Sequence, residues 1–398
     1  MKVLMVLNQE FPPVNRVEKE ALSLMEHGIE VILLSLRHSK KLASFEEYKG
    51  IKIHRVTIDK KVFDKLYASY LMIPFYKWFM NRGIRRCVKK YKIDALHIHN
   101  LPLADVGVKL KNKYHLKLVC DQHEYYSNWI VRTAHYNTAV GKIVKRFSNW
   151  KKYEQKYLPL ADLVISIEEP LRRVYIEEVG VDPDRVIGIP NTPRESIFND
   201  QNINHDIVNR YKDKFVLFYA GGITVLKGIN TVIKAMPRLA KEIPNIQLVL
   251  GGKISKYTNP LDEADEIGVN HLVEFVGWIP IEVIPSYIYG SDICFHVPPV
   301  YNEEVNRTIQ TKIYQYIKMG KPLIVGQARM AKEFVTKNQL GFSIRENDSE
   351  DFAEKVLKIY NDPDLYNTLS SNCKNTAKMY SWEKTIQSLI NFYKKSSL

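Results

Sequence analysis

The 398-residue sequence predicts an α/β protein built from two doubly wound parallel sheets, one in each half. Three observations carry this. Short apolar runs alternate with amphipathic helical patterns in both halves, the pattern of parallel strands joined by crossover helices. The stretch IPNTPRESIFNDQN (189–202) has the prolines and polar residues of an interdomain linker. Just beyond it, the run FVLFYA (215–220) leads through Gly221-Gly222 to Lys227-Gly228. The second half thus opens as the first does, with a strand, a tight loop and a helix.

Taken in order, the first half offers strands near 2–7, 29–36, 51–57, 94–99, 116–121 and 162–167, with a further short one at 186–189. Helical patterns fall at 15–27 and 136–158. The second half offers strands near 214–220, 245–251, 272–276, 291–297 and 321–325, with helices near 228–242, 308–319, 349–361 and 363–378. Two such sheets facing each other leave a cleft. Open α/β sheets bind ligands at the carboxyl ends of their strands. The motif-bearing loops all follow predicted strands: Asn8–Pro13, His97–Pro102, Asp121–Tyr126, Gly221–Lys227, Gly277–Pro280 and Pro298–Lys312.

The composition, 45% hydrophobic and 26% charged, is that of a globular protein. No apolar run reaches the roughly 18 residues needed to span a bilayer, and MKVLMVLN is too short for a signal segment. Four dispersed cysteines (Cys87, Cys120, Cys294, Cys373) form no C-x-x-C pair, so a reducing cytoplasm is expected, without a disulfide framework. The net charge of +14 is uneven: residues 1–200 hold 34 basic and 23 acidic side chains. Residues 60–92 hold ten basic residues and one acid, Asp64, around the aromatic-rich LYASYLMIPFYKWFM. A basic rim on an aromatic–aliphatic face suits an anionic membrane surface. A half-buried helix with a solvated basic back fits the same residues. Nucleic acid is the weaker partner, since no nucleic-acid motif accompanies the patch.

The central glycine–lysine element has the chemistry of a diphosphate site. Glycine lets backbone N–H groups approach a ligand, a helix N-terminus carries partial positive charge, and Lys227 adds a full one. The spacing is neither G-x-x-x-x-G-K-[ST] nor G-x-G-x-x-G, which argues against a P-loop NTPase or a dinucleotide enzyme. A plain tight turn with an exposed lysine would look similar.

These residues extend into a longer resemblance. FPPVNRVEKEALSLMEHGIEV, DALHIHNLPLADVGVKL, LVCDQHEYYSN, FYAGGITVLKGINTVIKAMP, QLVLGGK, LVEFVGWIP, SDICFHVPP and TKIYQYIKMGKPLIV occur in the order and spacing of the retaining glycosyltransferases of family 4. The resemblance implies the GT-B fold, with two Rossmann-like domains. It assigns residues 1–195 with a returning helix (380–398) to the acceptor and 196–379 to the nucleotide-sugar donor. It implies sugar transfer from a UDP- or GDP-sugar to an acceptor hydroxyl, with no further cofactor and no metal. The partners expected are the nucleotide sugar and a glycan or lipid-linked acceptor. Polysaccharide or lipopolysaccharide assembly on the inner membrane face would suit the basic N-terminal half, with peripheral contact through 60–92.

Residue by residue, Lys227 takes the family's phosphate-lysine position and Gly221-Gly222 the tight turn. Relatives often carry Arg where this chain has Gly222, which leaves Lys312 or Arg307 as the candidate second cation. In the family's Glu-x7-Glu pair, Gln315 stands at the later position and Arg307 at the earlier. Gln can accept a ribose hydroxyl, whereas Arg cannot imitate a carboxylate, so Glu303 or Glu304 is expected to reach in from the preceding loop. Trp278 and Ile279 match the segment that reads the nucleobase, with Trp278 either stacking on it or packing in the core. His123, in DQHEYY, matches the histidine near the reacting centre, with Asp121 and Glu124 orienting its loop. Arg16, His99 and Asn100 are the acceptor-side candidates. A zinc site is disfavoured because the histidines lack helical i, i+4 spacing and nearby cysteines.

Two other classes remain open at this level. One is a nucleotide-sugar-binding subunit with impaired catalysis, suggested by the missing glutamates. The other is a sugar-nucleotide epimerase, which would form product without an acceptor.

Overall fold

The computed structural model describes residues 1–395 apart from 13, 69–74, 131–146, 255–258 and 301–304, with no side-chain description for 65–68. It divides into two units, Met1–Pro190 with Thr385–Leu398, and Asn191–Lys384.

Unit one holds an eight-stranded sheet. Its strands are β1 (Lys2–Glu10), β2 (Glu30–Arg37), β3 (Phe45–Tyr48), β4 (Ile51–Thr57), β5 (Ala95–His99), β6 (Lys117–Gln122), β7 (Leu163–Ser166) and β8 (Val186–Gly188). Their order is β3-β4-β2-β1-β5-β6-β7-β8, parallel throughout except for the β3–β4 pair. Unit two holds a parallel sheet of β9 (Phe215–Ala220), β10 (Ile246–Gly251), β11 (Val273–Gly277), β12 (Ile293–His296), β13 (Leu323–Val325) and β14 (Gly341–Ser343), ordered β11-β10-β9-β12-β13-β14. Relabelled within each unit, the parallel strands run 3-2-1-4-5-6-7 in unit one, with the antiparallel edge strand β3 set aside, and 3-2-1-4-5-6 in unit two. That is the doubly wound order, whose strand sequence reverses beside the first strand. The reversals lie between β1 and β5 and between β9 and β12.

The central strands are buried on both faces, which is why they read as continuous apolar runs. Val3–Leu7 and Leu217–Tyr219 have no exposure. Helices cover both faces. In unit one these include α1 (Asn15–Glu26), α2 (Lys60–Ala68), α3 (Phe75–Tyr91) and α4 (Ala104–Tyr114). Helix α3 turns Tyr76, Met80, Ile84, Cys87 and Val88 inward, an i, i+4, i+8 stripe. In unit two the helix Ile229–Glu242 buries Ile229, Val232, Ile233, Met236 and Leu239 in the same way.

The sequence reading missed β3 and β14. β3 is the short antiparallel edge FEEY, with only two apolar residues, and β14 has three residues, too few to show a period. Of the helix expected at 136–158, Phe147–Tyr157 is described and 136–146 lies outside the described residues. The chain's last helix, Gln387–Lys395, belongs to unit one and buries Leu389, Ile390 and Tyr393.

Candidate functional site

The candidate residues gather at the carboxyl ends of the strands beside each reversal. In unit two, β9 ends at Ala220, whose N–H donates to the Tyr316 hydroxyl at 3.1 Å. Tyr316 lies on the helix Thr311–Lys318, and Lys312 is one turn earlier on the same face. Its ammonium therefore reaches back over β9, 3.7 Å from the centroid of the Tyr219 ring. A Cβ built on Gly221 would stand 2.5 Å from that ammonium, so the glycine makes its room. Gly222 is exposed, with open space where a side chain would start. Lys227 closes a one-turn helix, Val225–Lys227, immediately before Gly228 and the helix Ile229–Glu242. Gly228 has φ 74° and lies against the Val297 carbonyl, which a Cβ would overlap.

Among the described residues no carboxylate pairs with Lys227 or Lys312. Burial draws the Lys227 ammonium below its ordinary proton affinity. Burial and then repulsion from Lys227 draw Lys312 far below it. Beside them His296, 2% exposed at the end of β12, is held neutral by burial and by the two lysines. Sequence reasoning missed His296; its signal was a histidine closing the apolar run before Pro298-Pro299. A cationic, partly desolvated group with no acid paired to it among the described residues is complementary to a dianion.

Gln315 is buried on the same helix as Lys312, and Arg307 lies half-buried in the turn Val305–Arg307. Glu303 and Glu304 fall outside the described residues. At the end of β11, Trp278 is 61% exposed and Ile279 is buried against Gly251. Trp278 is therefore a surface aromatic, not a core one.

In unit one, β5 and β6 deliver a buried polar cluster. His97 and His99, two apart on β5, share a face and stack with ring centroids 4.5 Å apart. Asp121, at the end of β6, is fully buried. Its Oδ2 is 2.9 Å from His123 Nε2 and 3.2 Å from His99 Nδ1. Arg16 is also inside. From α1 it donates through Nε and NH2 to the two Asp121 oxygens at 3.1 and 3.0 Å, and through NH1 to the Ile189 carbonyl at 2.9 Å. Its Nε lies 3.0 Å from Glu20, one turn along α1. Expected to meet an acceptor, Arg16 is only 5% exposed and His99 only 1%. Asn100 takes φ 68° as the chain leaves β5, and its N–H donates to the Asp121 carbonyl. His123, with 18% of its side chain exposed, is the cluster's route to the surface.

Glu20, His97, His99 and Asp121 bring nitrogen and oxygen atoms within 4.8 Å of one another. Strand alternation and α1 do here what helical spacing was expected to do, so spacing alone does not exclude a cation. The Arg16 guanidinium lies against the same group, 3.0 Å from a Glu20 oxygen and 3.0 Å from an Asp121 oxygen.

Two family models match the chain end on end: glycosyltransferase family 4 over residues 14–192 and glycosyl transferases group 1 over 200–376. An uncharacterized glycosyltransferase of Methanocaldococcus jannaschii is 22% identical over 411 residues, covering 99% of this chain and 98% of that relative. Among solved structures, sucrose-phosphate synthase from Thermosynechococcus elongatus superposes with a TM-score of 0.76 at 17% identity, covering 99% of both chains. HepE of Anabaena, in complex with UDP, superposes with a TM-score of 0.71 at 17% identity over 100% of both. The likeness spans both units, and the chain belongs to the family 4 glycosyltransferases of the GT-B fold.

Proposed function

We propose that the chain transfers a sugar from a nucleotide diphosphate to an acceptor hydroxyl, with retention at the anomeric carbon and without a metal ion. The observation that carries this is the pair Lys227 and Lys312 at the end of β9, unpaired with any acid among the described residues, beside the N-terminus of Ile229–Glu242. As the glycosidic bond breaks, negative charge accumulates on the diphosphate. Two ammonium groups, the Gly221-Gly222 backbone and the helix terminus are placed to stabilise it, the part a divalent cation plays elsewhere. Lys312 supplies the cation that Gly222 omits. Trp278 and Ile279 border the nucleobase, and Gln315 accepts from a ribose hydroxyl.

UDP-sugars are the first donors to test, since HepE has been solved with UDP and with UDP-glucose; GDP-sugars come second. His123 and Asn100 face the acceptor, with Arg16 and His99 supporting them from inside. A lipid-linked acceptor in polysaccharide or lipopolysaccharide assembly is supported by α3. That helix exposes Phe75, Trp78 and Phe79 beside a groove of about 680 Å³ shared with α4. Among the described residues no helix is long and apolar enough to cross a membrane, so any contact through 60–92 would be peripheral.

A catalytically impaired donor-binding subunit is the second reading, favoured by Gln315 and Arg307 at the two glutamate positions. A thermal-shift panel of UDP, GDP, ADP, dTDP and CMP, followed by turnover with the matching sugar nucleotides, tests both. Selective stabilisation that is lost in Lys227→Ala supports the donor site, by about 2.7 kcal/mol at a hundred times Kd. Binding without transfer or donor hydrolysis favours the second reading. No stabilisation by any nucleotide counts against both.

A further inference from the structure

We infer that Glu20 is carried as the neutral acid, so that the buried cluster around Asp121 holds a single ion pair and Glu20 acts as a positioning residue for His123. The part concerning His123 rests on its placement at the reacting centre proposed above; the protonation of Glu20 does not.

The charge count comes first. One guanidinium faces two carboxylates, and Arg16, Glu20 and Asp121 are 5%, 0% and 0% exposed. Three of the five Arg16 N–H hydrogens are committed elsewhere: Nε and NH2 donate to Asp121, and NH1 donates to the Ile189 carbonyl. Arg16 Nε is 3.0 Å from Glu20 Oε1, yet neither Glu20 oxygen accepts a hydrogen bond. An ionised carboxylate buried with every lone pair unmet is the costliest state available to it, whereas the protonated acid carries no net charge to solvate. Asp121 has the opposite surroundings, with two bonds from Arg16 and a third partner in His123 Nε2 at 2.9 Å. The two carboxylates thus divide into one ion and one acid, as coupled pairs do when a single cation serves both.

The other groups facing the cluster agree. Burial, and then the Asp121 charge, hold the Glu20 carboxyl well above the usual carboxylate range, against the weaker pull of Arg16 and Lys19. Arg16 and His123 hold Asp121 well below that range despite its burial. His97 and His99 are kept neutral, chiefly by burial. Glu168 acts on Arg16, and Tyr393 and Cys120 are held as neutral groups. Tyr393, from the last helix, pairs its hydroxyl with His97 Nδ1 at 3.2 Å.

The consequence reaches His123. With Asp121 as the cluster's sole anion, His123 Nε2–H donates inward to Oδ2, and Nδ1 is left facing outward. Glu20 packs against Arg16, the residue that fixes the Asp121 oxygens. A charged Glu20 would compete for that guanidinium and loosen Asp121.

The test compares wild type with Glu20→Gln, a neutral isostere, and Glu20→Ala. Infrared difference spectra between wild type and Glu20→Gln at neutral pH should contain a protonated-carboxyl C=O band belonging to the wild type. Absence of that band overturns the inference, because Glu20 would then be ionised. Nitrogen-15 histidine NMR should report the Nε2–H tautomer of His123 in wild type and Glu20→Gln, and a mixture of tautomers in Glu20→Ala. An unchanged tautomer in Glu20→Ala overturns the positioning role. In transfer assays Glu20→Ala should lose about tenfold in kcat with the donor KM retained, and Glu20→Gln should recover most of it. If the spectra come out as expected but kcat does not move, what fails is the placement of His123 at the reacting centre.

Discussion

The ammonium of Lys312 stands 3.7 Å from the centroid of the Tyr219 ring, directly beside Gly221. The ring face offers it cation–π attraction, which keeps the charge in place while no anion is bound. The donor reading makes this contact a holding position. Replacing Lys312 or Lys227 by Ala should each weaken UDP binding by about 1.5–3 kcal/mol, roughly 10- to 150-fold, as expected for hydrogen bonds to a charged group. Isothermal titration calorimetry reads this directly. An effect of Lys227→Ala without one of Lys312→Ala would leave the second cation to another residue.

The same lysines make donor binding proton-linked. Burial lowers the proton affinity of Lys227, burial and repulsion from Lys227 lower that of Lys312, and a diphosphate between them would raise both. Binding should therefore take up protons below the ordinary lysine range, and UDP affinity should fall as pH rises through that window. Titrations in two buffers of different ionisation enthalpy measure the uptake, and Lys312→Ala should reduce it.

Glu154 gives a pH dependence of stability that is independent of function. It is fully buried and accepts from the Ser127 N–H at 3.1 Å and from Ser127 Oγ at 2.8 Å. Burial outweighs these bonds and pushes its carboxyl up to about 7 from 4.5. The folded state therefore holds a proton that the unfolded chain releases at lower pH. The sign follows: this group's contribution is most favourable below the unfolded value, falls as pH rises toward 7 and is level above it. The full span is on the order of 3 kcal/mol. Urea unfolding of Glu154→Gln should gain on the wild type between pH 5 and pH 8; a constant difference across that range would count against the assignment.

The sheets were largely legible in the sequence and the buried cluster was not, for physical reasons. Strands such as Val3–Leu7 and Leu217–Tyr219 are covered on both faces and so are continuously apolar. Doubly wound order then places the loops after β5, β6 and β9 beside the two reversals. Inward polar groups leave a weaker trace. Arg16 reads in the sequence as an acceptor-side candidate, and only the fold places it inside beside Glu20, one turn along α1. Asp121 read as a loop-orienting residue, and only tertiary packing put a guanidinium and two imidazoles around it. Lys312 is one of two candidate second cations in the sequence; the Ala220–Tyr316 hydrogen bond sets its helix against β9 and brings its ammonium over the Tyr219 ring.

Helix α3 sets the membrane prediction. Phe75, Trp78 and Phe79 are 60%, 55% and 38% exposed, and Arg82, Arg85, Arg86 and Lys89 follow along the same helix. Lys109 and Lys113 of α4 line the adjoining groove with Val106 and Leu110. Among the described residues no acid forms an ion pair with these four α3 cations or with the two α4 lysines, whereas Lys77 is paired with Asp105 at 2.5 Å. Aromatic side chains at a basic surface favour the interface of an anionic bilayer, at about 1 kcal/mol per basic residue near it. Cosedimentation should show binding to vesicles containing phosphatidylglycerol and little to pure phosphatidylcholine, with the difference shrinking as salt rises. Replacing Arg82, Arg85 and Arg86 together by Gln should weaken that binding by about 3 kcal/mol, roughly a hundredfold. Trp78→Ala should weaken it at every salt concentration, because its part is burial and not charge. Binding that ignores lipid charge, or that survives both variants, would place the contact elsewhere; retention of duplex DNA in place of vesicles would make the basic face a nucleic-acid surface.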